Sequence, residues 1–202
     1  MALTMKTQVL GEAFGPSAGT ALRIKQVAMV VLGIAALIVA AKIRFPMWPV
    51  PATMQTFAVL TIGASFGLRL SLVTLLGYMA LGAVGFNVFT GSSADLNGIT
   101  YMMGATGGYL VGFVVAAAVM AMLARAGWDR SFGKMAAAML LGNVIIYAFG
   151  LPWMAFLFLE SKGAAWVMQW GLTNFIVFDA LKLALAAVMF PMIWKLIGDA
   201  RR

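Results

Sequence analysis

Apolar positions in this chain run in unbroken stretches of roughly 15 to 25 residues, the length a helix needs to cross about 30 Å of hydrocarbon. The pattern predicts six membrane-spanning helices, at 26–41, 53–68, 70–86, 101–123, 135–159 and 170–194. Arg23 and Lys25 precede the first stretch as they would in a secretory leader. Yet "IVAAK" is a poor cleavage site and further spans follow, so the stretch is expected to remain as a helix.

Two connections interrupt the pattern unusually. "KIRFPMWPVPATMQTF" (Lys42 to Phe57) sets Pro46, Pro49 and Pro51 around Met47 and Trp48, too rigid a run to continue a helix. "FNVFTGSSADLNGITYMMGATGGY" (Phe86 to Tyr109) is rich in small residues. Irregular backbone at membrane depth is tolerated where protein buries it or it lines a cavity. Both loops fall on the same side, so a pocket mouth is expected there. Gly63 with Gly67, Gly104 with Gly108, Gly108 with Gly112 and Ala36 with Ala40 follow small-xxx-small spacing, which lets helices approach closely in lipid.

Composition agrees with the pattern. Of 202 residues 63% are hydrophobic and 10% charged, against about 25% charged in a soluble domain, and mean hydropathy is +0.99. The expected fold is an all-α integral membrane protein, with one membrane domain over 23–202 after a cytoplasmic tail over 1–22.

The net charge of +8 would suggest nucleic acid in a soluble chain. Here its distribution reads as topology. With the N-terminus inside, Lys6, Arg23, Lys25, Arg69, Arg125, Arg130, Lys134, Lys195, Arg201 and Arg202 fall on the cytoplasmic side. Lys42, Arg44 and Lys162 fall outside, which satisfies the positive-inside rule and leaves both termini cytoplasmic. No nucleic-acid partner is expected.

Catalysis finds little support. The chain has neither histidine nor cysteine, so a base to activate a serine is missing. Its acids are too scattered for a metal site. Gly133–Lys134 is followed by Met135 and lacks the first glycine of a phosphate-binding loop. Neither an enzyme nor a cofactor is expected, and any ATP that drives transport must be hydrolysed by another chain.

Candidate chemistry lies in "NFIVFDALKLALAAVMF" (Asn174 to Phe190), where Asp179 and Lys182 sit in an apolar run. Charges inside a membrane are expensive and commonly functional. At i and i+3 the two share a helix face and can neutralise each other. Asn143 and Asn174 add polar groups within spans. Such donors and acceptors suit a compact, polar-headed ligand held between apolar walls, for which Trp48, Phe57, Tyr109, Trp153 and Phe178 are candidates.

Four ordered stretches carry a resemblance: "PVPATMQTFAVL", "GATGGYLVGF", "LGNVIIYAFGLPW" and "FDALKLALAA". They resemble the signatures of the BioY family, the biotin-binding S components of energy-coupling factor (ECF) transporters, over about residues 27–195. The resemblance implies a six-helix bundle in a prokaryotic cell membrane that binds biotin near its outer side. It also implies docking onto a transmembrane coupling protein (the T component) and two ABC ATPases. It points to Asp179 and Lys182 in the pocket, to Gln55, Thr106 and Tyr109 near it, and to Ala36 and Ala40 as the docking patch. On this reading Asp179 accepts a ureido N–H and Asn143 or Gln55 completes the amide-like contacts. Lys182 meets either the ureido carbonyl or the carboxylate, and the sequence leaves that choice open, as it does homo-oligomerisation. Where the family often has proline, this chain has Ala105.

Two other classes compete. A stand-alone secondary transporter would use Asp179 as its proton carrier, though no inverted repeat relates the halves. A structural assembly protein would bind no saturable small ligand.

Overall fold

The computed structural model describes residues 8–45 and 47–200. Lys6, Pro46, Arg201 and Arg202, to which the sequence assigned sides or a loop, lie outside the described residues. A short helix α1 (Leu10–Ala13) leads into α2 (Gly19–Lys42), followed by two two-residue strands, β1 (Arg44–Phe45) and β2 (Ala52–Thr53). Then come α3 (Gln55–Ala83), α4 (Gly98–Met102), α5 (Gly107–Arg125), α6 (Phe132–Lys162), α7 (Ala164–Gly171) and α8 (Ile176–Ala200). Among the described residues, five helical stretches are long and apolar enough to cross a membrane. They are Gly19–Lys42, Gln55–Ala83, Gly107–Arg125, Phe132–Lys162 and Ala164–Gly198.

The count of six assumed a break between 68 and 70, and the chain does break there. At Gly67 the backbone takes φ 74° and ψ 166°, a conformation open to glycine and costly for a residue with a Cβ. The two arms of α3 then run back along each other. Ser71 donates its hydroxyl to the Gly67 carbonyl at 2.7 Å and to Ile62 at 3.2 Å, and Gln55 Nε2 donates to Tyr78 Oη at 2.9 Å. Residues 23 apart in one straight helix would lie about 34 Å from each other.

Helix is the default in lipid because every backbone group must find its partner within the segment. The outer faces are apolar throughout: Phe156 is 81% exposed and Leu32, Leu181 and Val177 stand out similarly. Small residues hold the interior. A Cβ on Gly112 of α5 would sit 2.9 Å from the Ile146 backbone of α6, so α5 and α6 meet backbone to backbone only because glycine is there.

The two ends of the bundle differ. At one, Val9 and, from α1, Leu10 and Ala13 pack into the core beside the Gly67 turn, and Arg125 Nη2 pairs with Glu12 Oε1 at 2.6 Å. The expected tail over 1–22 is thus partly folded, and α2 starts at Gly19 rather than 26. In the turn Trp128–Arg130, Asp129 is only 1% exposed and accepts the Trp194 indole N–H at 2.6 Å. Arg130 stacks 4.1 Å from the Trp194 ring centre and donates to the Gln8 carbonyl. Burial pushes the Asp129 carboxyl up to about 6, against the opposing pull of the Trp194 N–H and the Arg130 charge.

The opposite end carries the hairpin of β1 and β2, antiparallel with Arg44 opposite Thr53 and Phe45 opposite Ala52. The loop from 86 to 106 is packed rather than slack. Phe89 stacks on Tyr101 at 5.0 Å and meets Tyr78 edge-on at 5.3 Å, while the Tyr101 hydroxyl donates to the Thr90 carbonyl.

Candidate functional site

Beneath the hairpin and this loop lies a partly enclosed hollow with mostly apolar walls and a few convergent polar groups, the form usual for small-molecule sites. Val50, Pro51 and Thr53 roof it together with Phe89 and Thr90. Tyr109, Leu110, Phe113 and Ile146 supply apolar wall from α5 and α6.

Its polar end is built from three helices. Leu172 (φ −138°, ψ −61°) interrupts the last apolar run between α7 and α8. Asp179 therefore stands in the first turn of α8, where the helix dipole favours a carboxylate. Lys182 Nζ donates to Asp179 Oδ1 at 3.0 Å and to Thr56 Oγ1 at 2.9 Å. The Thr56 hydroxyl reaches Oδ1 at 3.4 Å, and the Tyr147 hydroxyl donates to Oδ2. Asp179 is 7% and Lys182 8% exposed. Buried charges demand such partners. Within this network one ammonium proton and part of the carboxylate's acceptor capacity stay unused. What remains is an acceptor beside a donor, the complement of a group that carries N–H beside C=O.

The structure brings Asp179, Lys182, Gln55, Thr106 and Tyr109 to the cavity wall. Other candidates fall elsewhere. Asn143 is buried in α6 without lining the cavity, and Phe57 packs against the core from α3. Trp48 is 63% exposed and meets Phe158 and Trp166 edge-on outside the buried hollow. Trp153 clamps the Gly104 carbonyl at 2.9 Å instead of facing the cavity, and Phe178 meets Phe45 at 5.7 Å. Asn174 sits in the turn Thr173–Phe175. Ala36 lies on the outward face of α2, whereas Ala40 is 8% exposed and belongs to the core, because the end of α2 tucks against β2.

Thr56 and Tyr147 are the site residues that sequence reasoning passed over. A tyrosine in the middle of a span needs a partner for its hydroxyl. Tyr147, one helical turn beyond Asn143, carried that signal.

A bundle of membrane-length helices with an apolar-walled hollow and a neutralised ion pair at one end is a membrane protein built to hold a small solute. The model of the BioY family matches residues 10–199, and the chain belongs to that family. The probable biotin transporter BioY of Pyrococcus horikoshii is 35% identical over 168 residues, covering 83% of this chain and 95% of that protein. The biotin transporter BioY of Thermotoga maritima is 34% identical over 162 residues, covering 80% and 91%. A crystal structure of the S-component for biotin from an ECF-type ABC transporter superimposes with a TM-score of 0.71 at 20% identity. It covers 89% of this chain and 95% of its own, which is a likeness of fold.

Proposed function

We propose that this chain is the biotin-binding subunit of a biotin uptake system, energised by a partner module of coupling protein and ATPases. The cavity carries the reading: an acceptor and a donor stand side by side at its polar end, and a ureido ring offers the N–H and C=O that they lack. Asp179 accepts a ureido N–H and Lys182 donates to the ureido carbonyl. Thr56 and Tyr147 hold the pair, and the ring system and aliphatic tail lie along Tyr109, Leu110 and Phe113. The relatives from Pyrococcus horikoshii and Thermotoga maritima are a probable biotin transporter and a biotin transporter, which supports biotin as the ligand.

The Gly67 reversal divides α3 into two crossings, which makes six, with the basic end and both termini in the cytoplasm of a prokaryotic cell. The first arm, 55–66, is short for a bilayer, so its mouth end lies below the rim and the hairpin closes over it. The outward apolar face of α2, with Ala36 at its middle, docks the coupling protein, and Ala40 has no direct part in that contact.

Titration of the purified chain in detergent with radiolabelled biotin tests the first claim: saturable binding is expected, and its absence ends the reading. In cells holding the partner module, uptake should collapse on ATP depletion and survive dissipation of the proton gradient.

A further inference from the structure

A second, more open hollow lies on the outer side of the cavity and shares Pro51, Thr90, Tyr101 and Thr106 with it. Arg44 lines only this outer hollow. Its guanidinium rests against the backbone of Gly91, where a Cβ would lie 3.1 Å from Nη1. Among the described residues Arg44 forms no ion pair, and neither do Asp95 and Glu160, the acids of that end. Lys42, two positions earlier, is held by the Phe89 carbonyl at 2.7 Å and by Ser92. Two cations thus stand at the mouth without an acid, and one is uncommitted.

We propose that Arg44 is the receiving site for the ligand's carboxylate, so that the ligand lies with its neutral ring on Asp179 and its anionic tail toward the mouth. The inference rests on the biotin reading above and adds an orientation and a specificity residue to it. Charge decides the direction. At the polar end the Lys182 charge is already neutralised by Asp179, so its remaining proton suits a neutral carbonyl, whereas an anion brought there would face the Asp179 carboxylate with no second cation to offset it. At the mouth the balance is reversed. A planar guanidinium presents paired donors that match a carboxylate. Arg44 is also placed in advance, because its strand is pinned opposite Thr53, itself a cavity residue, while Phe45 beside it packs on Phe178 next to Asp179.

The test compares biotin with biotinamide, which keeps the ring and tail and lacks the charge, on the purified chain in detergent. The wild type should prefer biotin by about 10-fold or more, the worth of one charge-assisted pair. That preference should shrink as salt rises from about 0.05 M to about 0.5 M. Arg44→Gln should lose it by weakening biotin alone, and Arg44→Lys should keep part of it. Equal weakening of both compounds by Arg44→Gln, or no change in either, overturns the proposal. A wild type that binds both compounds equally also overturns it, and leaves the biotin reading standing. A wild type that binds neither overturns both.

Discussion

Among the described residues two carboxylates are buried, and they live differently. Asp129 is enclosed at the basic end, where the Trp194 N–H and the Arg130 guanidinium lie against it and tie the Trp128–Arg130 turn to α8. Asp179 has more partners, Lys182, Thr56 and Tyr147, yet it borders empty space. Burial and charge alone therefore do not mark a binding group. What separates the two is whether acceptor capacity is left facing a hollow that another molecule can enter.

The largest expected effect falls on Asp179. Asp179→Asn should weaken biotin binding on the order of 100-fold, since a charge-assisted hydrogen bond is worth about 1.5–3 kcal/mol. It should also lower the unfolding temperature, because Lys182 is left charged and unpaired in a buried site. The double variant with Lys182→Met should recover much of that stability and none of the affinity. Titration and thermal unfolding in detergent read the two separately. If Asp179→Asn binds normally, Asp179 is a structural acid like Asp129 and the contrast disappears.

Asp129 should show the opposite split. Its carboxyl titrates near 6 in the folded chain against 3.8 as a free group, so the folded state holds the proton more tightly. The associated stability is present below 3.8 and is lost as pH rises through about 6. The wild type should melt at a lower temperature at pH 8 than at pH 5, by the equivalent of about 1–3 kcal/mol. Asp129→Asn should remove most of that difference and leave biotin affinity unchanged. A shift in affinity would mean that the latch at the basic end reaches the cavity.

Much of this contrast was legible in the sequence, and the gaps have physical causes. The membrane-length apolar helices and the Asp179–Lys182 pair follow from hydropathy and from the i, i+3 geometry of a helix. The break at Leu172 was missed, because Asn174 in "WGLTNFIVF" reads as a polar group within a span rather than as part of a turn. Asp179 was therefore read as mid-helix rather than first-turn. Asn143 was chosen for its polarity and lies buried in α6 without lining the cavity, while Tyr147 one turn later reaches Asp179. The merits of Thr56 depend on how α3 meets α8, a tertiary fact beyond local pattern. The burial of Ala40 was hidden for a similar reason, since the hairpin that covers its end of α2 is set by pairing between residues 44 and 53.

The smallest effect makes the sharpest comparison. Tyr147→Phe removes the hydroxyl that holds Asp179 Oδ2 and keeps the ring that meets Tyr109 edge-on at 6.2 Å. One net hydrogen bond is worth roughly 0.5–1.5 kcal/mol, so biotin affinity should fall about 3- to 10-fold with little change in melting. Trp194→Phe does the matching operation on Asp129, and should lower the melting temperature while leaving biotin affinity alone. If Tyr147→Phe moved melting and spared affinity, its hydroxyl would be bracing the bundle rather than aiming the carboxylate, and the two acids would differ only in how many neighbours they have.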